Sequence, residues 1–378
     1  MNDLKFQINK NKFYSALQIA SRASCPTSPV PALAGVKIEA NEKGLTLTGS
    51  DASISTQVYL SNEKDENLDL VIDSMGVIVM EARYLLDIVR KMDSNIMTIQ
   101  IIDGTLIQFT GNKANYKMNG YQPENYPTID FAQPSEGFEI ESNLFKDLID
   151  QTIFAVSTKP QRPVLTGINF NADGEKIIAT ATDSFRLARK TLNLQTEPFN
   201  VTVPSKVLNE AKNIYLEEPT IHISLDDRKI QFKNDSVLIQ STLLEGGYPK
   251  VDRLIPTQFS EVLVMDKDQF VRAIDRALFI KTDNITNIRM EINSVDDIHI
   301  STSNQEIGSF NETLSAVSFE GNPFNISFAG LYFNEAAKSF KSSNIRIQFT
   351  GQFTPLIIQE DNGDDSLLQL ILPVRTSK

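Results

Sequence analysis

KFQINKNKFYSALQIA (residues 5–20), FEIESNLFKDLIDQTIFA (138–155) and LVMDKDQFVRAIDRALFI (263–280) are three versions of one phrase. Each opens with strand-like alternation and then changes to helical spacing. Phe6, Ile8, Phe13 and Leu17 match Phe138, Ile140, Phe145 and Ile149 at a constant offset of 132. Leu263, Met265, Phe270 and Ile274 match the second set at an offset of 125. In every copy a period of two gives way to a step of four, which puts the last two apolar residues on one helix face. The same register extends further: Pro31, Leu33 and Gly35 match Pro163, Leu165 and Gly167, and Ser50-Asp51 matches Thr182-Asp183, again 132 apart. Tyr126-Pro127 matches Tyr248-Pro249 at 122. A repeat of this length decides the fold before any single element does.

Each copy continues into a second helical stretch: EARYLLDIVRKM (81–92), SKVLNEAKNIYL (205–216) and AGLYFNEAAKSFKSS (329–343). With the first set, 10–24, 142–158 and 266–282, the spacing predicts six helices. Runs such as GLTLTGS, IMTIQII, TIHISL, KIQFK and IRIQFTG alternate as half-buried antiparallel strands do, and NEKG, DDR and EDNGDD punctuate them as turns. The expected fold class is α+β, three repeated units of two helices packed on antiparallel sheets. The expected domains are 1–131, 132–256 and 257–378, with boundaries in the proline-containing stretches after Tyr126 and near Pro256. No low-complexity linker separates them, so rigid end-to-end packing is expected.

The 378 residues suffice for two to four cores at roughly 100–200 residues per domain. No apolar run approaches the ~18 residues of a membrane helix, the N-terminal MNDLKFQINKNKF has no apolar signal core, and Cys25 is the only cysteine. These features read as cytoplasmic, with no membrane partner. The formal charge of −12 argues, taken alone, against nucleic acid, since phosphate contacts need Lys and Arg.

Nothing in the chain assembles a catalytic constellation. His222 and His299 both sit in Ile-His-Ile-Ser on an alternating strand, which reads as a solvent-facing position. Cys25 lies among Ser, Pro and Thr with no neighbouring base. Asp226-Asp227 and Asp296-Asp297 read as hairpin turns, and there is no P-loop, GxGxxG or HExxH. No catalytic residue, metal site or cofactor is expected. Repetition without chemistry favours a binding scaffold.

Charge is sorted by element. The six predicted helices carry 15 basic and 9 acidic residues, a sum of +6, so the rest of the chain carries −18. Helices gathered on one side would present a basic surface on an acidic body, suited to contacting a phosphate backbone without reading bases. The plain alternative is that Lys and Arg favour exposed helix positions.

RPVLTGINF (162–170), ATDSFRLA (181–188), LLEGGYPKVDRLIP (243–256) and LQLILPVR (368–375) occur in the order and spacing of one family. Together with the threefold repeat, they make the whole chain resemble the bacterial DNA polymerase III beta subunits, the sliding clamps. The resemblance implies a head-to-tail homodimer whose six domains close into a ring around double-stranded DNA, with helices lining the hole and sheets outside. It implies a non-enzymatic processivity factor that works with a clamp loader, the replicative DNA polymerase and other replication and repair proteins. It also resolves the charge puzzle, because a protein that encloses DNA needs only weak, non-specific contacts.

Carried over by motif, the partner-peptide groove would comprise Leu165, Thr182, Ser184, Phe185, Arg186, Leu187, Tyr248, Pro249, Arg253, Leu254, Pro355, Leu370, Leu372, Pro373 and Val374. Leucine, valine and proline walls bury short apolar peptides, and Arg186 and Arg253 are candidates for peptide carbonyls or an acidic side chain. Alternation in LQLILPVR puts Leu370, Leu372 and Val374 on one face but does not say whether that face is groove or core. DNA-facing candidates are Arg22, Arg83, Arg90, Lys91, Lys206, Lys212, Arg272, Arg276, Lys338 and Lys341. Phe185 stands where many relatives carry histidine, and Pro163-Val164 where some carry a tyrosine pair. Two other readings compete: a repeat-built protein-interaction module that never meets DNA, and an enzyme using His222 or Cys25.

Overall fold

The computed structural model describes residues 3–281 and 285–375. Among them are six α-helices: α1 (Lys10–Ser21), α2 (Ala82–Lys91), α3 (Ser142–Asp150), α4 (Ser205–Ile214), α5 (Lys267–Ala277) and α6 (Gly330–Lys338). All six fall where the repeat predicts them. The pattern residues are the core: of the twelve that define the repeat, eleven are buried and Phe138 is half-buried. Each first helix starts where a strand ends. Asn9 caps α1 by accepting from the backbone N–H groups of Asn11 and Lys12, and Asp266 caps α5 by accepting from Gln269 at 2.7 Å.

Most helices are shorter than expected, with local causes. The stretch 142–158 is helical only to Asp150, followed by a 3₁₀ turn at Ile153–Ala155. There the Thr152 hydroxyl donates to the Leu148 carbonyl at 2.5 Å, a side-chain bond that competes with helix propagation. α5 ends at Ala277, where the Leu278 N–H bonds back to Ile274 and Asp275. The expected end of that helix, residue 282, lies outside the described residues.

The chain divides into two compact units, residues 1–143 with 207–243 and residues 144–206 with 244–378. The first holds a five-stranded antiparallel sheet in the order Val71–Ser74, Lys5–Asn9, Ile96–Asp103, Leu106–Gly111, Ala114–Asn119. It also holds an eight-stranded sheet in the order Glu136–Glu141, Thr220–Leu225, Lys229–Lys233, Val237–Thr242, Ile54–Leu60, Gly44–Ser50, Gly35–Asn41, Gly76–Glu81. The second unit holds a nine-stranded sheet: Phe199–Pro204, Gly167–Ala172, Lys176–Thr182, Arg186–Asn193, Leu367–Ile371, Leu356–Glu360, Asn344–Phe349, Glu261–Asp266, Ser318–Glu320. Its four-stranded sheet runs Gly308–Leu314, Asp297–Asn304, Asn287–Ser294, Phe324–Ala329.

The two long sheets cross the repeats. Val237–Thr242 of the second repeat pairs with Ile54–Leu60 of the first, Ile239 opposite Thr56. Arg186–Asn193 of the second pairs with Leu367–Ile371 of the third, Leu187 opposite Leu370. Helices pack beneath the sheets: α1 lies against α2 in the first unit and α5 against α6 in the second. The α5–α6 contact is made by Phe270 and Phe333, ring centroids 5.0 Å apart at 82°, an edge-on geometry that aromatic quadrupoles favour. The repeated glycine follows from close backbone approach: a Cβ on Gly167 would lie 2.3 Å from the Val203 carbonyl oxygen, and one on Gly35 2.7 Å from that of Met80.

Candidate partner-binding groove and basic helices

The motif Thr182-Asp183-Ser184-Phe185 folds into a tight turn with its own internal bonding. The Asp183 carboxylate accepts from the N–H groups of Phe185 and Arg186 at 2.9 and 3.1 Å. The Thr182 hydroxyl accepts from Ser184 N–H at 3.1 Å and donates to the Arg186 carbonyl at 2.6 Å. This pulls Ser184 into the left-handed region, φ 79°, and leaves Phe185 54% exposed. The first repeat builds the same turn: Asp51 accepts from Ser53 and Ile54 at 2.9 and 2.7 Å, and Ala52 has φ 76°.

Behind the turn, Leu187 and Leu370 pack with Val251 and Ile357 in one buried cluster, against which Ile255, Phe259 and Leu368 lean. The chain then leaves the sheet. The Leu372 N–H donates to the Phe185 carbonyl at 2.9 Å, Pro373 bridges Phe328, and the Val374 N–H donates to the Ser327 carbonyl at 2.7 Å. The face shared by Leu370, Leu372 and Val374 therefore runs from core to surface: Leu370 is 3% exposed and Leu372 37%. Pro355, which precedes the strand Leu356–Glu360, is half-buried.

The stretch from Tyr248 to Leu254 joins the same cluster through Val251. Burial pushes the Tyr248 phenol above its ordinary range, and the nearby Asp183 carboxylate adds to that. Pro249 and Arg253 are exposed, and Leu254, at the end of a 3₁₀ turn, is 59% exposed. Asp252 anchors that turn to Arg189 at 2.6 Å. Leu165 is buried, its carbonyl held by Ser157 N–H at 2.8 Å. Thus Thr182, Leu187 and Leu370 are buried, whereas Phe185, Leu254 and Leu372 are exposed.

Arg186 differs from the expectation of a ligand-facing guanidinium. Its side chain is only 10% exposed. Nε donates to Asp183 at 3.0 Å, the other nitrogens donate to Glu335 and to the Phe154 carbonyl, and the group lies over the rings of Phe154 and Tyr332. Salt bridge and stacking draw it inward, where it ties the turn to α6. Sequence spacing gives no sign of this, because the partners lie 32 and 149 residues away.

The basic candidates are mostly at the surface. Arg22, Arg83, Arg90, Lys91, Lys206, Arg272, Arg276, Lys338 and Lys341 are exposed, and Lys212 is half-buried. Within their observed bounds the six helices carry twelve basic and seven acidic residues, a net of +5. Several cations are held by carboxylates: Arg22 by Glu210 at 3.1 Å, Arg90 by Asp87 at 2.7 Å, Lys338 by Asp275 at 3.2 Å, Lys341 by Asp147 at 2.5 Å, and Arg276 Nε by Glu312 at 2.9 Å. Arg272 makes no ion pair among the described residues. Exposed pairs of this kind are worth about 0–1 kcal/mol, so a phosphate can replace the carboxylate at little cost.

Three consecutive segments match the three domain models of the DNA polymerase III beta subunit: residues 4–130 the N-terminal domain, 139–250 the central domain and 252–375 the C-terminal domain. The beta sliding clamp of Bacillus subtilis is 33% identical over 378 residues, covering 99% of this chain and all of that one. The chain belongs to the DNA polymerase III beta subunit family. Among solved structures, the beta chain of Streptococcus pneumoniae DNA polymerase III superposes with a TM-score of 0.95 at 30% identity, covering 99% of this chain and all of that one. The Bacillus subtilis sliding clamp gives 0.94 at 33%, with the same coverage. The fold is therefore that of the sliding clamps, three clamp domains of paired helices on antiparallel sheets.

Smaller expectations gain detail. His222 and His299 lie on the exposed side of their strands, as the alternation predicts, and each is hydrogen-bonded there. His299 Nε2 lies 2.6 Å from Asp297 and its Nδ1 3.0 Å from the Thr313 hydroxyl, while His222 faces Gln133 at 3.3 Å. Of these partners only Thr313 is a cross-strand neighbour; Asp297 precedes His299 on the same strand, and Gln133 lies outside the strands. Asp226 does close a hairpin, accepting from Arg228 and Lys229, and Asp296 lies in the turn between Asn287–Ser294 and the strand that Asp297 begins. No group of three or more His, Cys, Asp or Glu side chains fit to hold a metal occurs among the described residues. No described helix is long and apolar enough to cross a membrane.

Proposed function

We propose that two copies of this chain close head to tail into a ring that encircles double-stranded DNA, slides on it without reading sequence, and tethers the replicative polymerase. The observation that carries this is the match of all three domains, in order, to the DNA polymerase III beta subunit. The protein acts by holding, with no reaction, metal or cofactor of its own, in the cytoplasm beside the replicating DNA. The domains are 1–131, 132–256 and 257–378.

Two free sheet edges support closure. Ala114–Asn119 ends the five-stranded sheet and Gly308–Leu314 ends the four-stranded one, and among the described residues each pairs on one side only. Lys113 and Lys117 lie on or beside the first edge, and Glu306 and Glu312 on or beside the second. Exposed Tyr116 flanks the first edge and exposed Phe279 lies in the second unit. Edge strands left open invite pairing, and opposite charges set its direction. In the ring, Arg22, Arg83, Arg90, Lys91, Lys206, Lys212, Arg272, Arg276, Lys338 and Lys341 face the DNA. The groove from Leu165 to Val374 takes an apolar peptide from the polymerase, the clamp loader, or other replication and repair proteins.

Light scattering tests the assembly. The expected mass is twice 42.3 kDa, falling toward the single-chain value when Lys117→Glu and Phe279→Ser are combined. A single-chain mass for the unaltered protein at micromolar concentration would overturn the ring.

A further inference from the structure

The repeat places a counterpart of the groove where the first copy meets the second. The turn of Asp51 and Ala52 matches that of Asp183 and Ser184. Val237–Thr242 pairs with Ile54–Leu60 in the register in which Leu367–Ile371 pairs with Arg186–Asn193: Gln240 stands opposite Ser55 as Leu370 stands opposite Leu187. On the next strand, Gln231 faces Gln240 as Ile357 faces Leu370. The Tyr-Pro match makes Ile129 the counterpart of Val251. The strand pairing is copied, and the side chains are not. The buried cluster of Leu187, Val251, Ile357 and Leu370 becomes Ser55, Ile129, Gln231 and Gln240. The exposed Phe185, Leu254 and Leu372 become Ser53, Ala132 and Thr242, which are exposed as well.

The exchanged polar groups are bonded internally. Gln231, 1% exposed, donates from Nε2 to the carbonyls of Phe131 and Ala132 at 3.2 and 3.1 Å and to Gln240 Oε1 at 3.0 Å. Gln240 Nε2 donates to the Asp130 carbonyl at 3.0 Å, and the Ser50 and Ser55 hydroxyls lie 2.8 Å apart. The two glutamines thereby hold the chain's own segment 130–132. A recess of about 260 Å³ remains there, with Leu33, Ala52, Pro127 and Ile129 in its wall. An apolar side chain entering it would take water from hydroxyl and carboxamide groups and give them no partner in return. We propose that this junction is a silenced copy of the groove: Ser53, Ser55, Gln231, Gln240 and Thr242 deny it to apolar peptides, so that a chain with two such turns offers one peptide site. The proposal rests on the groove reading above. Specificity here comes from polar groups set against the wrong site as much as from apolar ones at the right site.

Isothermal titration calorimetry on the whole protein, with a peptide carrying leucine and phenylalanine anchors, tests this. The unaltered protein should bind one peptide per chain. Combining Ser53→Phe, Ser55→Leu, Gln240→Leu and Thr242→Leu writes the groove's residues into the junction and should raise the stoichiometry from one toward two. The added site should be the weaker, because Ala132 still stands where the groove has Leu254. A folded variant that stays at one, or an unaltered protein that binds two at comparable affinity, overturns the proposal. Photo-crosslinking of the same peptide to the unaltered protein decides the matter if the variant does not fold: label is expected on the groove, and label on residues 127–130 overturns the assignment. Leu372→Ala tells the two readings apart. It should weaken the single binding event of the unaltered protein, and an event that it leaves untouched would sink the groove reading itself.

Discussion

The guanidinium of Arg186 lies 4.4 Å from the centroid of the Tyr332 ring, over its face. This contact joins the turn at the groove to α6, a helix whose Lys338 we assign to the DNA side. Removing the cation would leave Asp183, with a side chain 13% exposed, without its partner in a mostly buried setting. Arg186→Ala is expected to cost roughly 2–4 kcal/mol in urea unfolding, the range for breaking a partly buried charged network. Arg186→Lys should recover only part, because one ammonium cannot reach three divergent acceptors. A loss below about 0.5 kcal/mol for Arg186→Ala, the size of an ordinary surface change, would place the side chain in solvent.

Ser184 and Ala52 hold equivalent left-handed positions, φ 79° and 76°. Such a conformation costs a non-glycine residue about 1–2 kcal/mol. Ser184→Gly should therefore be neutral or stabilising by up to about 1 kcal/mol, and Ser184→Val clearly destabilising. Thermal unfolding of the two variants decides it. A stable valine variant would mean that the turn relaxes.

Leu370 and Leu372 separate stability from binding. Leu370→Ala and Leu187→Ala empty a buried cluster and should cost about 2–5 kcal/mol. Leu372→Ala and Leu254→Ala, at exposed positions, should leave the melting curve within the noise while weakening peptide binding at least severalfold. Unchanged peptide affinity in both exposed variants would move the groove elsewhere.

That split was only half legible in the sequence. Alternation placed Leu370, Leu372 and Val374 on one face, but strand pairing stops at Ile371, and only the stop makes the face change from core to surface. The threefold phrase, by contrast, named buried positions correctly because period-two and period-four spacings are local physics. The turn at Asp183 was visible as a repeat of Ser50-Asp51. Its positive φ was not, since serine and alanine do not advertise that conformation as glycine does. Pairing of Val237–Thr242 with Ile54–Leu60 joins segments far apart in sequence, and hydrophobic period carries no register between them. The inward turn of Arg186 was hidden for the same reason.

Arg272 and Arg276 lie on α5, one without an ion pair among the described residues and the other held by Glu312. Changing both to Glu replaces two phosphate contacts with repulsion. We expect faster loss from DNA and a shallower salt dependence of binding, by about two in the log–log slope, with peptide affinity unchanged. Binding that keeps its salt slope would put these side chains away from the DNA path.

Enclosure, and not adhesion, is the central claim, and DNA topology tests it. With the ring loaded by its clamp loader, retention at moderate salt should be long on a nicked circle and brief on the same DNA linearised, and blocking both linear ends should restore it. Equal retention on circular and open linear DNA would contradict the account.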